Sequence, residues 1–285
     1  MYARGAADAK GSLAAMLWAI ASCEREPGGL QGSLVLTAVM GEESGGEGTL
    51  ALMESGGIRA DGAVVGEPTG LRVLAANKGT FMRRLTFHGR AAHSGQSHLG
   101  DNAVTKAARF VMAASEVDKR LKQRPHPLVG TASMTVTLIN GGTVQNTVPD
   151  KCTVTLDRRL VPGETHDAAR AELAEILKSH PDFADVDVEE TVASFPCESP
   201  LDSKIVRAAS AAVESVLGHG APEAQPGGFP AGCDMSKLVL LGGIPSVILG
   251  PGSLREAHSP NEWVEMKQVE QAARIYEAVI RSFLS

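Results

Sequence analysis

The sequence has few aromatic residues and no closely spaced cysteines. Only two tryptophans and two tyrosines occur in 285 residues, so few side chains could serve as stacking platforms. The four cysteines, Cys23, Cys152, Cys197 and Cys233, form no Cys-x-x-Cys pair. This spacing argues against a zinc ribbon or a disulfide scaffold and fits a protein of the reducing cytoplasm.

A basic excess and long apolar runs are also missing. The formal net charge is −6, and no cluster of basic residues suggests a patch for nucleic acid. No apolar run approaches the roughly 20 residues of a membrane helix, and the N-terminus has no apolar region typical of a signal peptide. We therefore expect neither a nucleic-acid nor a membrane partner.

What is present is typical of a soluble globular protein. Hydrophobic residues make up 43% and charged residues 21% of the chain, a composition that excludes general disorder. The length suits one large domain or two ordinary ones. The 31 glycines indicate many tight turns.

The first helix is predicted over residues 8–26. Its apolar residues have helical spacing, and Pro27-Gly28-Gly29 should end it. The residues expected on its apolar face are Leu13, Met16, Leu17 and Ile20.

Strands and helices then alternate. SLVLTAVM (33–40) is a near-continuous apolar run, as expected of a strand covered on both faces. A short helix over 48–56 and a second buried strand in DGAVVGEP (61–68) follow. This order predicts a mixed, mostly parallel sheet flanked by helices.

The pattern changes near residue 79. Three segments alternate polar and apolar residues, which predicts an antiparallel sheet with one covered face. Helices are predicted near 101–122 and 165–180, and a further strand at 185–192, so the order β-α-β-β-α-β is that of a ferredoxin-like module. The three alternating segments are TFMRRLTFHG, ASMTVTLING and KCTVTLDRRL.

After Phe195-Pro196 the α/β pattern returns, with a helix at 202–217, a strand at 245–249 and a final helix at 266–284. We therefore predict an α/β domain from residues 1–78 and 193–285, into which a smaller domain of residues 79–192 is inserted.

Acids and a histidine stand in the loops of the predicted α/β domain. Asp8 precedes the first helix, Glu42 and Glu43 follow the first strand, Glu67 follows the second, and His258 lies after the last. In a parallel α/β sheet the loops at the carboxyl ends of the strands meet at one rim.

Carboxylates and imidazole are ligands that borderline divalent metals prefer, and a cation offsets the repulsion between the acids. Each residue alone has an ordinary alternative: Asp8 as a helix N-cap, Glu67 as a turn residue, His258 as a loop histidine. Together they favour a metal site.

Five segments follow one another along the chain: RGAADAKG, GEESGG, VVGEPTG, HGRAAHSGQSHLGDNAV and GPGSLREAHSPNEWV. In this order they resemble the motifs of the M20 metallopeptidase family. The resemblance spans essentially the whole chain, and it is strongest to the acetylornithine deacetylase and succinyl-diaminopimelate desuccinylase branch.

The resemblance implies roles for the acids. Asp8 would bridge two zinc ions, Glu43 and His258 would complete the first site, and Glu67 would belong to the second. Glu42 would be the general base that takes a proton from the water that the metal activates. One or two Zn²⁺ ions are the family expectation; Co²⁺ or Mn²⁺ would use similar ligands.

The inserted domain would be the family's lid or dimerisation domain, which implies a homodimer. His93 would stabilise the oxyanion, often in the partner's site, and Asn146 and Arg159 would contact the substrate. Because consecutive strand residues face opposite sides, only one of Arg158 and Arg159 should face the ligand. Gly252 would let the loop turn beside the substrate, although an ordinary strand-exit turn explains it equally well.

One family motif has no counterpart. The family places a His-x-Asp motif well before the bridging aspartate, and only seven residues precede Asp8. We expect a fragment or a mis-started reading frame; a split protein completed by another chain and a short form with one metal or none are alternatives.

The expected function is therefore metal-dependent cleavage of an amide in an N-acylated amino acid or a small peptide-like substrate. The alternative is a truncated, catalytically impaired relative that binds a ligand or partner without turnover.

Overall fold

The computed structural model describes residues 1–25 and 30–285. Within these residues the α-helices are α1 (Gly11–Glu24), α2 (Glu47–Glu54), α3 (Ala103–Leu121), α4 (His166–Lys178), α5 (Lys204–Leu217), α6 (Met235–Leu240) and α7 (Met266–Phe283). The strands are β1 (Ala63–Val65), β2 (Leu74–Asn77), β3 (Gly79–His88), β4 (Ala92–His93), β5 (Ser133–Gly141), β6 (Thr147–Val148), β7 (Lys151–Leu160), β8 (Asp187–Ser194), β9 (Cys197–Glu198), β10 (Gly227–Phe229) and β11 (Ser246–Ile248).

Contacts between residues divide the chain into two units. The first unit comprises Met1–Asn77 and Cys197–Ser285, and the second comprises Lys78–Pro196.

The first unit contains a mixed sheet in the order β1-β11-β2-β10, with β9 also paired to β2. β1 and β11 are parallel, as are β2 and β10, whereas β2 is antiparallel to both β11 and β9. Helices flank this sheet: α5 and α6 contact β11, and α1 and α5 pack against α7. The predicted mixed α/β fold is confirmed, but the described pairings are not mostly parallel. β2 is the reason, since both antiparallel ladders of this sheet involve it.

The prediction of a buried strand over residues 33–40 is wrong. Among the residues that the structure describes, none pairs with this segment in a β-ladder. Its side chains are largely exposed, including Val35 at 65% and Met40 at 79%. An apolar run becomes a buried strand only where a neighbouring strand supplies hydrogen-bond partners, and the sequence pattern carries no information on that neighbour.

Helix α1 forms where it was predicted, but it buries a different face. Its buried residues are the small Ser12, Ala15, Ala19 and Cys23, while Leu17 is 52% exposed. The partner decides this choice, because α1 packs against α7 and small side chains let two helices approach closely. The predicted helix end at Pro27-Gly28-Gly29 lies outside the described residues.

The second unit contains an antiparallel sheet in the order β5-β7-β3-β8. β3 and β7 pair without interruption from Gly79 opposite Leu160 to His88 opposite Lys151. Alternate residues of β7 are buried, as its polar and apolar alternation predicts. The core on this face includes Phe87, Phe110 and Phe183, whose rings contact one another.

The other predicted elements agree closely with the structure. β7 covers the predicted segment 151–160, and α3, α4, α5 and α7 lie within their predicted ranges. β1 forms as predicted but is half-buried. All four cysteines are buried. In the described residues, every helix is too short or too polar to cross a lipid bilayer.

Candidate metal centre

The two adjacent glutamates lie in a tight turn between two glycines. Glu42 and Glu43 belong to a single 3-10 turn, Glu42–Ser44, rather than to the end of a strand as predicted. Gly41 and Gly46 on either side have φ values of 78° and 73°, in the left-handed region that glycine adopts without strain. In this turn Glu42 is half-buried and Glu43 is exposed.

Three loops of the first unit bring together Asp8, Glu43 and His258. One ligand atom from each lies within 4.8 Å of the other two. His258 Nε2 is 3.2 Å from Asp8 Oδ2 and 3.4 Å from Glu43 Oε2. His258 has a φ of 59°, which is uncommon for a residue other than glycine and often marks a functional position.

This group fits a divalent ion. Bonds of about 2.0–2.2 Å to a tetrahedral ion place ligand atoms about 3.3–3.6 Å apart, close to the observed separations from His258 Nε2. Two carboxylates and one imidazole are also a donor set that zinc accepts, and three protein ligands leave one position for substrate or water.

Glu42 lies in a strongly acidic environment. Burial, followed by the charges of Asp234, Glu43 and Asp8, raises its pKa to about 7, although Lys237 acts in the opposite direction. A carboxyl group with a pKa near neutrality suits proton transfer at physiological pH.

Glu67 follows β1 and adds a further acid. It lies outside the group of three described above, but its charge interacts with that group. Burial, followed by the charges of Glu42 and Asp8, raises the pKa of Glu67 to about 8. Without a cation, the protein's own groups therefore disfavour ionisation of both acids, and a bound cation would reverse this.

Asp234 was not predicted as a site residue, although its charge raises the pKa of both of these acids. Asp234 is 6% exposed and precedes α6. Its carboxylate accepts hydrogen bonds from the Thr49 hydroxyl and from Lys237 Nζ, the latter at 3.0 Å. The available signal was an aspartate directly before a helix in the glycine- and proline-rich segment GFPAGCDM.

Glu262 was also missed. Burial acts to raise its pKa, but hydrogen bonds from the backbone N–H groups of Gly5, Asp8 and Ala7, with the charge of Arg4, outweigh burial and lower it. The signal was a second acid only four residues after His258, in HSPNE.

Gly252 occupies a tight turn beside the loop that carries Asp8. Its φ is 84°, and a Cβ atom there would lie 3.0 Å from the Ala7 Cβ. The positive φ and the close packing against Ala7 together account for a glycine here.

The remaining predicted residues lie in the second unit. His93 in β4 pairs with Thr147 in β6, and the Asn146 carbonyl accepts a 2.8 Å hydrogen bond from Ser94 N, so His93 and Asn146 lie on the same two-stranded ribbon. His93 is exposed, and its Nδ1 accepts a hydrogen bond from Gly95 N at 3.1 Å.

Arg158 and Arg159 face opposite sides of β7, as the strand period predicts. Arg158 is buried and bonds to Glu164 and Glu172. Arg159 is about one-third exposed, and its guanidinium donates to Thr80 Oγ1 at 3.0 Å and to Asp157 Oδ2 at 2.9 Å.

Comparison with known proteins gives consistent matches. The model of peptidase family M20/M25/M40 matches residues 1–282. An acetylornithine deacetylase of Proteus mirabilis is 28% identical over 291 residues, which cover 99% of this chain and 71% of the relative. The N-formyl-4-amino-5-aminomethyl-2-methylpyrimidine deformylase of Bacillus subtilis is 28% identical over 309 residues, covering 100% of this chain and 72% of the relative.

Solved structures show the same fold. An M20 family metallo-carboxypeptidase of Sulfolobus solfataricus superimposes with a TM-score of 0.76 at 19% identity, covering 99% of this chain and 77% of that protein.

Proposed function

Because the chain belongs to peptidase family M20/M25/M40, a hydrolase family, we propose that it is a metal-dependent hydrolase of amide bonds in N-acylated amino acids or small peptide-like substrates. The observation that carries this proposal is the group of Asp8, Glu43 and His258 with the half-buried Glu42 beside it.

Asp8, Glu43 and His258 would hold the first ion, and Asp8 with Glu67 would contribute to a second. Zinc suits these ligands, and cobalt or manganese would be accepted by the same donors. When bound, the ion supplies Lewis-acid activation of water and of the substrate carbonyl.

Glu42 is the proposed general base. Its carboxylate takes a proton from the attacking water and transfers it to the leaving amine. The adjacent Glu43 turns towards His258, so the two neighbours serve different functions.

His93, Asn146 and Arg159 are the proposed substrate residues of the second unit. Because His93 Nδ1 accepts a hydrogen bond, the proton of the neutral ring lies on Nε2, which can donate to a developing oxyanion. Arg159 suits a substrate carboxylate, and the turn at Gly252 would let backbone approach the ligand.

One relative is named as a deacetylase and another as a deformylase. These names support a short acyl group as the part of the substrate that the hydrolysis removes. We further propose that residues 79–192 act as a lid and dimerisation domain of a homodimer.

The proposal is tested by measuring metal content and hydrolysis of N-acetyl, N-formyl and N-succinyl amino acids after loading with Zn²⁺ or Co²⁺. We expect stoichiometric metal and turnover of at least one of these amides. A protein that binds metal but hydrolyses none of them would exclude the deacylase function.

Glu42→Gln should retain the metal and lower kcat by about 100- to 10,000-fold, since it removes the general base. Glu54→Gln, at an exposed position in α2, is the control and should leave kcat unchanged. Full activity of the Glu42 variant would assign the base to another residue.

A further inference from the structure

Glu262 is a buried carboxylate that accepts hydrogen bonds from the backbone around Asp8. Its side chain is 2% exposed. Oε1 accepts hydrogen bonds from Ala7 N and Asp8 N, both at 3.0 Å, and Oε2 accepts one from Gly5 N at 2.8 Å. Arg4 Nη1 also donates to Oε2 at 3.2 Å.

Burial disfavours the charged form of Glu262, and its hydrogen bonds outweigh this effect. A buried carboxylate loses hydration, and its ion-pair partner Arg4 is 68% exposed, so that pair is screened by water. Three backbone amides provide most of the compensation. They belong to Gly5 and the irregular helical turn Ala6–Lys10, which contains Asp8 and leads into α1.

Glu262 also lies only four residues after His258. The Glu262 side chain therefore connects the loop that carries His258 to the backbone that carries Asp8. The His258 and Asp8 side chains are themselves 3.2 Å apart. Because metal affinity depends on ligand spacing, residues that fix this spacing affect binding without touching the ion.

We propose that Glu262 is a positioning residue for the metal centre, holding Asp8 in place relative to His258. This inference rests on the proposed function insofar as it requires a metal at that centre.

Glu262→Gln keeps the size of the side chain but provides only one acceptor oxygen. Whichever way the amide is turned, its NH₂ group faces N–H donors, either Ala7 and Asp8 or Gly5 and Arg4. Glu262→Asp keeps the charge but is one methylene shorter, so it cannot reach all three amides.

The control is Glu164→Gln in the second unit. Glu164 likewise accepts from a backbone amide, Val161 N at 3.0 Å, and from an arginine, Arg158. It is therefore a carboxylate with the same kinds of hydrogen-bond donors, although 28% exposed, and it is remote in sequence from every candidate metal ligand.

The experiment measures Zn²⁺ and Co²⁺ affinity by competition with a chelator, together with hydrogen exchange of the peptide covering residues 1–10. We expect Glu262→Gln to bind metal about 10- to 100-fold more weakly and to exchange faster in this peptide. Glu164→Gln should change neither quantity.

Glu262→Asp should also weaken metal binding. Because this variant keeps the negative charge, a weaker affinity would show that the position of the carboxylate matters as well as its charge. It also provides a test if the glutamine variant does not fold. Unchanged metal affinity in the folded variants, or unchanged exchange in the peptide, would overturn the inference. If the wild-type protein takes up no metal, the inference fails as well. If it binds metal but hydrolyses no amide, only the proposed function fails, because the affinity comparison still supports or overturns the role of Glu262.

Discussion

Two neighbouring acids with different environments are the central feature at the scale of single residues. Glu43 is exposed and lies beside His258, whereas Glu42 is half-buried among other carboxylates. Because their surroundings differ, Glu43 can bind a cation while Glu42 remains available for proton transfer.

The raised pKa values of Glu42 and Glu67 predict an unusual pH dependence of stability after removal of metal by a chelator. Their pKa values of about 7 and about 8 exceed the ordinary value of 4.5, so the folded protein keeps protons that the unfolded chain has released. The free energy of unfolding should therefore be highest near pH 5 and fall as the pH rises to 8. Thermal unfolding between these pH values measures this dependence.

Glu67→Gln should flatten this dependence and stabilise the metal-free protein at pH 8 by about 2 kcal/mol, allowing for partial solvent screening. The exposed Glu54→Gln should keep the wild-type slope. Saturating Zn²⁺ should remove the slope from the wild type, because the cation stabilises the ionised acids. A stability that rises from pH 5 to 8 in the chelated wild type would contradict the raised pKa values.

At the scale of elements, contacts between α2 and α6 support the turn that carries Glu42 and Glu43. Thr49 in α2 donates to Asp234, which precedes α6 and also pairs with Lys237. Gly46 packs closely on the Asp234 and Lys237 side chains, and a Cβ atom at Gly46 would lie 2.3 Å from Asp234 Oδ1. The turn is therefore fixed by contacts with a segment almost 200 residues further along the chain.

Thr49→Val should lower the free energy of unfolding by about 1.5–3 kcal/mol, because it removes a buried hydrogen bond to a charged acceptor without changing side-chain shape. Urea denaturation measures this difference. Thr137→Val, at an exposed position of β5, should change stability by less than about 0.5 kcal/mol. Equal effects of the two substitutions would show that the Thr49–Asp234 bond contributes nothing.

At the scale of the whole molecule, the second unit has the features of an independently folding insertion. Its ends meet, since Thr80 pairs with Ser194 and a Cβ at Gly79 would lie 2.6 Å from Pro196 N. It also has its own apolar core between the sheet and its helices.

Residues 78–196 expressed alone should therefore fold, with a cooperative thermal transition and a near-UV signal from packed aromatic rings. Circular dichroism and calorimetry check this expectation. A gradual transition with strong dye binding would indicate a loosely packed state and contradict it.

The sequence predicted best where local periodicity carries the information. The alternation in 151–160 predicted β7 in full, and the predicted helices over 101–122 and 165–180 contain α3 and α4. The candidate ligands Asp8, Glu43 and His258 were predicted from their residue types and loop positions together with the family resemblance, and the structure places them side by side.

The sequence by itself thus determined the described α-helices other than α6, the antiparallel strands β3, β5, β7 and β8, and the family, because each depends on patterns within short segments. Only the tertiary structure decided that 33–40 has no strand partner in the described chain, that α1 buries its small residues, and that Asp234 and Glu262 support the site. The physical reason is that strand pairing, helix contacts and the hydrogen bonds of buried carboxylates join residues far apart in the chain, which no local pattern specifies.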